Sequence, residues 1–144
     1  MLQLPTLGWR EWVALPELGT AMIRCKIDTG ARSSALHVDW SEVFERDGQE
    51  WVRFKFESGK PKLASYTAEA RIIDRRMVTD SGGHCSQRLF IRTAIALAGQ
   101  QWPIEINLTD RRTMKFPMLL GRTAIQARFT VDPSRSFVSG AADL

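Results

Sequence analysis

The residues best placed to do chemistry lie in the segment Arg24-Cys25-Lys26-Ile27-Asp28-Thr29-Gly30-Ala31, a run of alternating apolar and basic positions that ends in a carboxylate. The Thr-Gly-Ala that follows has turn composition, and a glycine there lets the backbone fold sharply and come close to a ligand. A carboxylate presented at such a point can accept or donate a proton during catalysis. The same residues also make ordinary Asx turns, so the triplet alone is equally a strand cap. Two later segments bear on the choice. Ser81-Gly82-Gly83-His84 is a glycine-rich turn, and Pro117-Met118-Leu119-Leu120-Gly121-Arg122 is an apolar strand running into Gly-Arg.

The elements that must hold these residues are strands. Two-residue alternation, which marks a strand with one buried face, recurs along the chain. It appears in Ile23, Cys25 and Ile27, in Val52, Phe54 and Phe56, in Leu89, Ile91, Ile95 and Leu97, and in Trp102, Ile104, Ile106 and Leu108. Turn signals stand between the runs at Pro16 to Gly19, Asp47-Gly48, Ser58 to Pro61, Ser81 to Gly83 and Gly99-Gln100. This spacing predicts an all-β domain closed or folded over into a barrel. Helix is expected in one or two short pieces, over Arg122 to Arg128 and over Val38 to Phe44. No linker or repeat interrupts residues 1–144, which read as one domain.

The chain has 144 residues, 44% of them hydrophobic, and a net charge of +4. Its calculated pI near 9.5 reflects spread arginines rather than a basic tail. That balance favours anionic partners or a solvated face. No segment has the roughly 18 consecutive apolar residues of a membrane helix, and the N-terminus lacks a basic start followed by an apolar block, so a cytosolic setting is expected. Cys25, in a strand pattern, and the distant Cys85 are expected as thiols rather than a disulfide. His37, His84 and the two cysteines have no metal-site spacing, and there is no glycine-rich phosphate loop, so neither metal nor nucleotide is expected on this chain. Trp9, Trp12, Trp40, Trp51 and Trp102 are dispersed, which suits burial in strands better than a stacking surface for nucleic acid.

A strand, Asp-Thr-Gly-Ala, a glycine-tipped hairpin and an apolar strand into Gly-Arg, in that order, resemble a retropepsin, the retroviral type of aspartic protease. The likeness is closer to a bacterial retropepsin-like (RimB-like) family whose members carry the name ATP-dependent zinc protease and occur beside or fused to RimK-type ATP-grasp glutamate ligases. It extends over Leu7-Gly8-Trp9-Arg10-Glu11-Trp12, Leu15-Pro16-Glu17-Leu18, Lys26 to His37, Ser81 to His84, Leu108-Thr109-Asp110-Arg111 and Met114 to Arg122. The resemblance implies a barrel-like subunit that is half an enzyme, since one Asp-Thr-Gly cannot supply two carboxylates. A homodimer would pair Asp28 with its symmetry mate. In it, Thr29 would brace the two loops, Gly30 would leave room for substrate backbone, and Leu120, Gly121 and Arg122 would support the site. Ala31, Arg32 and the flap residues Ser81, Gly82, Gly83 and His84 would contact an extended peptide. No cofactor is implied on this chain, and the partners implied are a second copy, a peptide substrate and a RimK-like ligase.

One position departs from the viral pattern. The acidic residue that commonly follows Asp-Thr-Gly-Ala and pairs with the arginine of the late Gly-Arg is here Arg32. Arg122 is left to find another carboxylate or a backbone carbonyl. Arg32 is either a receiver of acidic substrate side chains or a solvated side chain beside a turn. Two functions are therefore carried forward: an aspartic endopeptidase acting on glutamate-rich or RimK-modified tails, and a catalytically silent peptide-binding partner of such a ligase. A zinc-dependent hydrolase is a weaker third.

Overall fold

A computed structural model describes residues 3–59, 65–80, 82–110 and 115–140. Ser81, Arg111 and Met114, and the Lys60-Pro61 end of one expected turn, lie outside the described residues. Strand β1 (Thr6–Leu7) leads into β2 (Arg10–Leu15), a single 3-10 turn (Pro16–Leu18) and β3 (Thr20–Asp28). After the Asp28 turn come β4 (Ser34–His37), β5 (Trp40–Arg46), β6 (Gln49–Glu57) and β7 (Ser65–Arg71). The second half comprises β8 (Asp74–Thr79), β9 (Cys85–Leu97), β10 (Gln100–Thr109), β11 (Met118–Gly121), the helix α1 (Arg122–Ile125) and β12 (Thr130–Val131).

Local sequence sets two of the hairpins. Asp47 (φ 53°) and Gly48 (φ 75°) join β5 to β6, and Ala98 (φ 52°) and Gly99 (φ 75°) join β9 to β10. Positive φ at both central residues gives a turn whose twist matches that of the flanking strands. The alternating residues meet in one core: Ile23, Cys25 and Ile27 of β3, Val52, Phe54 and Phe56 of β6, and Ile91, Ile95 and Leu97 of β9 pack with Trp102, Ile104, Ile106 and Leu108 of β10, while Leu89 is half-buried against them. Burying a side chain of this size contributes about 1.5–3 kcal/mol.

The all-β expectation holds, and the closed barrel is corrected. Seven strands run in the order β10-β4-β11-β3-β2-β9-β8, and β9 also pairs with β10. The seam between β2 and β9 is the single pair Ala14–Ala96, and β5, β6 and β7 form a separate three-stranded sheet laid on the same core. The sheet thus curls round the core without a continuous hydrogen-bonded seam. Helix α1 covers only part of the Arg122 to Arg128 segment, because Gln126 leaves the helical region (ψ 141°) and Ala127 follows at a φ of 64°. The helix expected over Val38 to Phe44 is replaced by β5. There Trp40, Glu42, Phe44 and Arg46 face one way and Ser41, Val43 and Glu45 the other, in register with β6 through the Asp47-Gly48 turn.

The Leu7-to-Trp12 stretch anchors the last part of the described chain. Trp9 N donates to Arg135 O (2.8 Å), Phe137 N to Arg10 O (2.9 Å), and Trp12 stacks on Phe137 with ring centroids 5.4 Å apart. Gly8 is required for space, since a Cβ there would lie 2.3 Å from Arg135 O. Glu11, fully buried, accepts from Gly8 N (2.7 Å), Val138 N (3.0 Å), Ser139 N (3.1 Å) and Ser139 Oγ (2.7 Å).

Both cysteines are free, as expected. Burial pushes the Cys25 thiol well above its usual range, which leaves it without the reactive thiolate. Cys85 is exposed, its Sγ 3.0 Å from Thr79 Oγ1. Iodoacetamide is therefore expected to label the native chain at Cys85 alone, and Cys25 only after denaturation, as read by peptide mass mapping. Native labelling of Cys25 would mean that the β3 core opens on the labelling timescale.

Candidate active site

Strand β11 is inserted between two early strands, parallel to β3 and antiparallel to β4. Its register sets Leu120 beside Ile27 and Gly121 beside Asp28. The Asp28 turn and the Gly121-Arg122 corner therefore meet. Arg122 N donates to Ala31 O (2.7 Å), and Thr123 donates to Arg32 O from both N (3.3 Å) and Oγ1 (2.9 Å). Gly121 N donates to the buried Ser34 Oγ (3.0 Å). Gly121 has an ordinary extended backbone, φ −87°, so space and not φ demands the glycine. A Cβ would lie 2.5 Å from both the carbonyl carbon and the oxygen of Ser33. Gly121→Ala is accordingly expected to cost about 2–3 kcal/mol of stability in chemical denaturation. A cost below about 0.5 kcal/mol, the level of a neutral surface change, would mean that the turn shifts freely.

Asp28 is half-buried at the end of β3, while Thr29 and Gly30 are exposed. Its Oδ1 accepts from Gly30 N (3.1 Å), an Asx-type bond that fixes the carboxylate against its own turn. Among the described residues, Oδ2 takes no hydrogen bond from the protein. One oxygen is thus held and the other is open to a ligand. Arg122 resolves the question raised by Arg32: its Nη1 lies 3.5 Å from Thr29 O, a long contact to a backbone carbonyl rather than to a carboxylate. A depression of about 400 Å³ lies alongside, lined by Thr29, Arg122, Ile125, Phe129 and Val131 among others.

The expected flap is the β8–β9 hairpin. At its tip Asp80 Oδ1 accepts from Gly82 N (2.8 Å) and His84 N (3.0 Å), and Gly83 takes a φ of 82°. The fold brings Asp28 to Arg32 together with Leu120 to Arg122, while the hydrogen bonds of Gly82, Gly83 and His84 run to Asp80 within the tip and none joins them to that turn among the described residues. Asp80 repeats the Asx bond made by Asp28, but at a hairpin end without a strand inserted behind it.

A family profile described as "RimB-like: Retropepsin-like aspartic endopeptidase RimB" matches residues 6–142. The chain belongs to the RimB-like family. It is similar to proteins named "Probable alpha-L-glutamate ligase" from Shewanella halifaxensis (38% identical, covering 93% of this chain and 30% of that protein) and Desulfotalea psychrophila (36% identical, 89% and 28%). This RimB-like chain spans less than a third of the length of those relatives. A crystal structure of a protein with unknown function from Legionella pneumophila superposes with a TM-score of 0.78 at 26% identity, covering 94% of this chain and 98% of that one.

A layer beneath the RimB-like turn is not apparent in the sequence. Arg88, only 8% exposed, donates to Asn107 Oδ1 (3.0 Å), and Asn107 Nδ2 donates to Ser34 O (2.8 Å), so a buried polar chain links the flap strand to the residue that holds Gly121. Arg88 and Asn107 occupy out-of-phase positions of β9 and β10, where polar residues are ordinary, so alternation gives no sign that this second face is covered. Among the described residues no group of three or more His, Cys, Asp or Glu side chains could hold a metal ion, and no helix is long and apolar enough to cross a membrane.

Proposed function

We propose that this chain is one subunit of a homodimeric aspartic endopeptidase, with Asp28 of each subunit activating a water for attack on a peptide bond of a glutamate-rich tail. The observation that carries the reading is the Asp28 carboxylate itself, locked by one oxygen to its own turn, open at the other, and buttressed by the inserted β11. Hydrolysis of an amide requires a base to take a proton from water and an acid to donate to the carbonyl oxygen. Two carboxylates brought close cannot both ionise cheaply, so a symmetric pair shares one proton and supplies both roles. The chain contains a single Asp-Thr-Gly, so the second carboxylate comes from a two-fold mate. The depression bounded by Thr29, Ile125, Phe129 and Val131 offers that mate an apolar seat beside the turn. The β8–β9 hairpin would close over the bound peptide.

The test is turnover of glutamate-rich peptides by the purified chain across acidic to neutral pH, with chelator and with an aspartic protease inhibitor in parallel, beside its sedimentation behaviour. Turnover that survives chelation, is blocked by the inhibitor and follows the dimer population supports the proposal; turnover lost on chelation overturns it. The names of the relatives favour one second reading, a silent peptide-binding partner of a glutamate ligase. That reading is supported instead by saturable peptide binding to a dimer without turnover at any pH.

A further inference from the structure

Four residues beyond Asp28, Arg32 lends its backbone carbonyl to Thr123, while its exposed side chain makes no hydrogen bond among the described residues. It lines a cavity of about 420 Å³ in which two further arginines converge, Arg76 of β8 and Arg128 just beyond α1. The cavity walls include one carboxylate, Glu105 of β10, and the aromatic rings of Phe90 and Trp102. Each aromatic ring backs one guanidinium: Arg76 lies 4.5 Å from the Phe90 centroid and Arg128 lies 4.6 Å from that of Trp102. Stacking on a ring leaves the edge donors of a guanidinium facing outward, and its weak hydration makes it a good partner for a carboxylate.

The three cations are committed to different degrees. Arg76 donates to Glu105 Oε1 (2.9 Å) through Nη1 and to Asp74 Oδ2 (2.6 Å) through Nε. Arg128 has only a long contact to Gln100 Oε1 (3.4 Å). Three guanidinium groups meet two carboxylates, Glu105 in the wall and Asp74 beside Arg76, which leaves an excess positive charge at the cavity, and the Glu105 contact shows that a carboxylate on a methylene stem fits against Arg76.

We infer that this cavity is a subsite for the carboxylate side chain of a bound acidic peptide, with Arg32 and Arg128 setting the specificity and Glu105 acting as an internal stand-in that competes for Arg76. The inference deepens the proposed action on glutamate-rich tails and rests on it. A glutamyl side chain would lay its methylenes along the exposed Pro103 in the cavity wall and offer its oxygens to the arginines, and a short inorganic anion lacks that apolar stem. Glu105 holds the cavity in a paired, receptive state when it is empty and raises the threshold for weakly acidic ligands.

Binding of fluorescein-labelled hexaglutamate and hexaglutamine, read by anisotropy at fixed ionic strength, tests this in the Asp28→Asn chain of residues 1–144, where cleavage cannot interfere. Hexaglutamate is expected to bind more tightly than hexaglutamine. Arg32→Ala and Arg128→Ala are each expected to weaken hexaglutamate about tenfold, the scale of a lost charge-assisted hydrogen bond, and to leave hexaglutamine unchanged. Arg71→Ala removes the same charge from the outer face of β7 and is expected to change little. Glu105→Gln frees the Nη1 donor of Arg76, whose Nε stays on Asp74, and is expected to tighten hexaglutamate several-fold, well beyond the effect of Glu45→Gln, which removes the same charge from exposed β5. The inference is overturned if the parent shows no preference, if Arg71→Ala matches Arg32→Ala, if Glu105→Gln fails to tighten binding, or if inorganic phosphate displaces the peptide at equal concentration. Arg32 is exposed, so Arg32→Ala keeps the test valid even where Arg128→Ala unfolds. Wild-type protein that binds with this preference and never cleaves defeats the peptidase reading alone; cleavage without the preference defeats the subsite alone.

Discussion

If the proposed peptidase reading holds, replacing Asp28 by asparagine is expected to lower peptide cleavage by at least about a thousandfold, within the range that a positioned acid or base contributes, and to leave the fold intact. Asparagine keeps the oxygen that accepts from Gly30 N, so the turn retains its internal bond. It cannot take a proton from water, and in a two-fold pair both subunits lose that capacity together. Thermal unfolding and sedimentation of Asp28→Asn should therefore match wild type while turnover disappears. Asp80→Asn is the informative control. Asp80 makes the same kind of bond to the glycine two residues on, yet at a hairpin tip, and its replacement should leave kcat within the same order of magnitude. Normal cleavage by Asp28→Asn, or equal loss in both variants, would remove Asp28 from the chemistry.

Glu11→Ala should cost about 4 kcal/mol, because it leaves one buried and three half-buried donors without their acceptor and a buried one typically costs about 1–3 kcal/mol before relaxation. Three of those donors belong to Val138 and Ser139, so the loss releases the segment that crosses β2, together with the Trp12–Phe137 stack. Glu11→Gln keeps the shape and one acceptor oxygen, but it turns an NH2 group towards amide donors, and an intermediate cost is expected. Urea denaturation should show the midpoint falling in the order wild type, glutamine, alanine, with the slope unchanged if the native state stays compact. A loss below about 1 kcal/mol, no more than a typical point mutation causes, would mean that this segment is already detached in solution.

Much of this architecture is legible in the residue order, and the exceptions have physical reasons. Ile23, Cys25 and Ile27 and the β10 series announce their buried faces because side chains alternate along a strand, and Asp47-Gly48 announces its hairpin because few residues accept positive φ. Trp40 and Phe44 stand four apart, a helical spacing, and only their pairing with β6 shows them to be strand neighbours on one face. Barrel closure depends on where β2 meets β9, a long-range contact that period-two patterns do not encode. At the site, Asp28, Gly121 and Arg122 could be singled out from the order of motifs. The Arg88–Asn107–Ser34 chain could not, since nothing local distinguishes a buried polar residue from a wet one. Glu11 and Gly8 lie within the Leu7-to-Trp12 segment that resembles the family, but their purpose emerges only when residues 135–139 pack against them.

The insertion of β11 between β3 and β4 also bears on how the chain comes to be folded on the ribosome. Ser34 and the glycine it holds are 87 residues apart. At about 5–20 residues per second of synthesis, β3 and β4 wait roughly 4 to 17 s for the strand that separates them. Over that interval their facing edges are unpaired, and unpaired strand edges seek other strands. A nascent chain of this kind would gain from holding factors, or from slow decoding of the β10–β11 region, in a way that an ordinary run of consecutive hairpins would not. A stalled or truncated product ending before Met118 would present both edges indefinitely and would be a substrate for quality control rather than a partly active subunit.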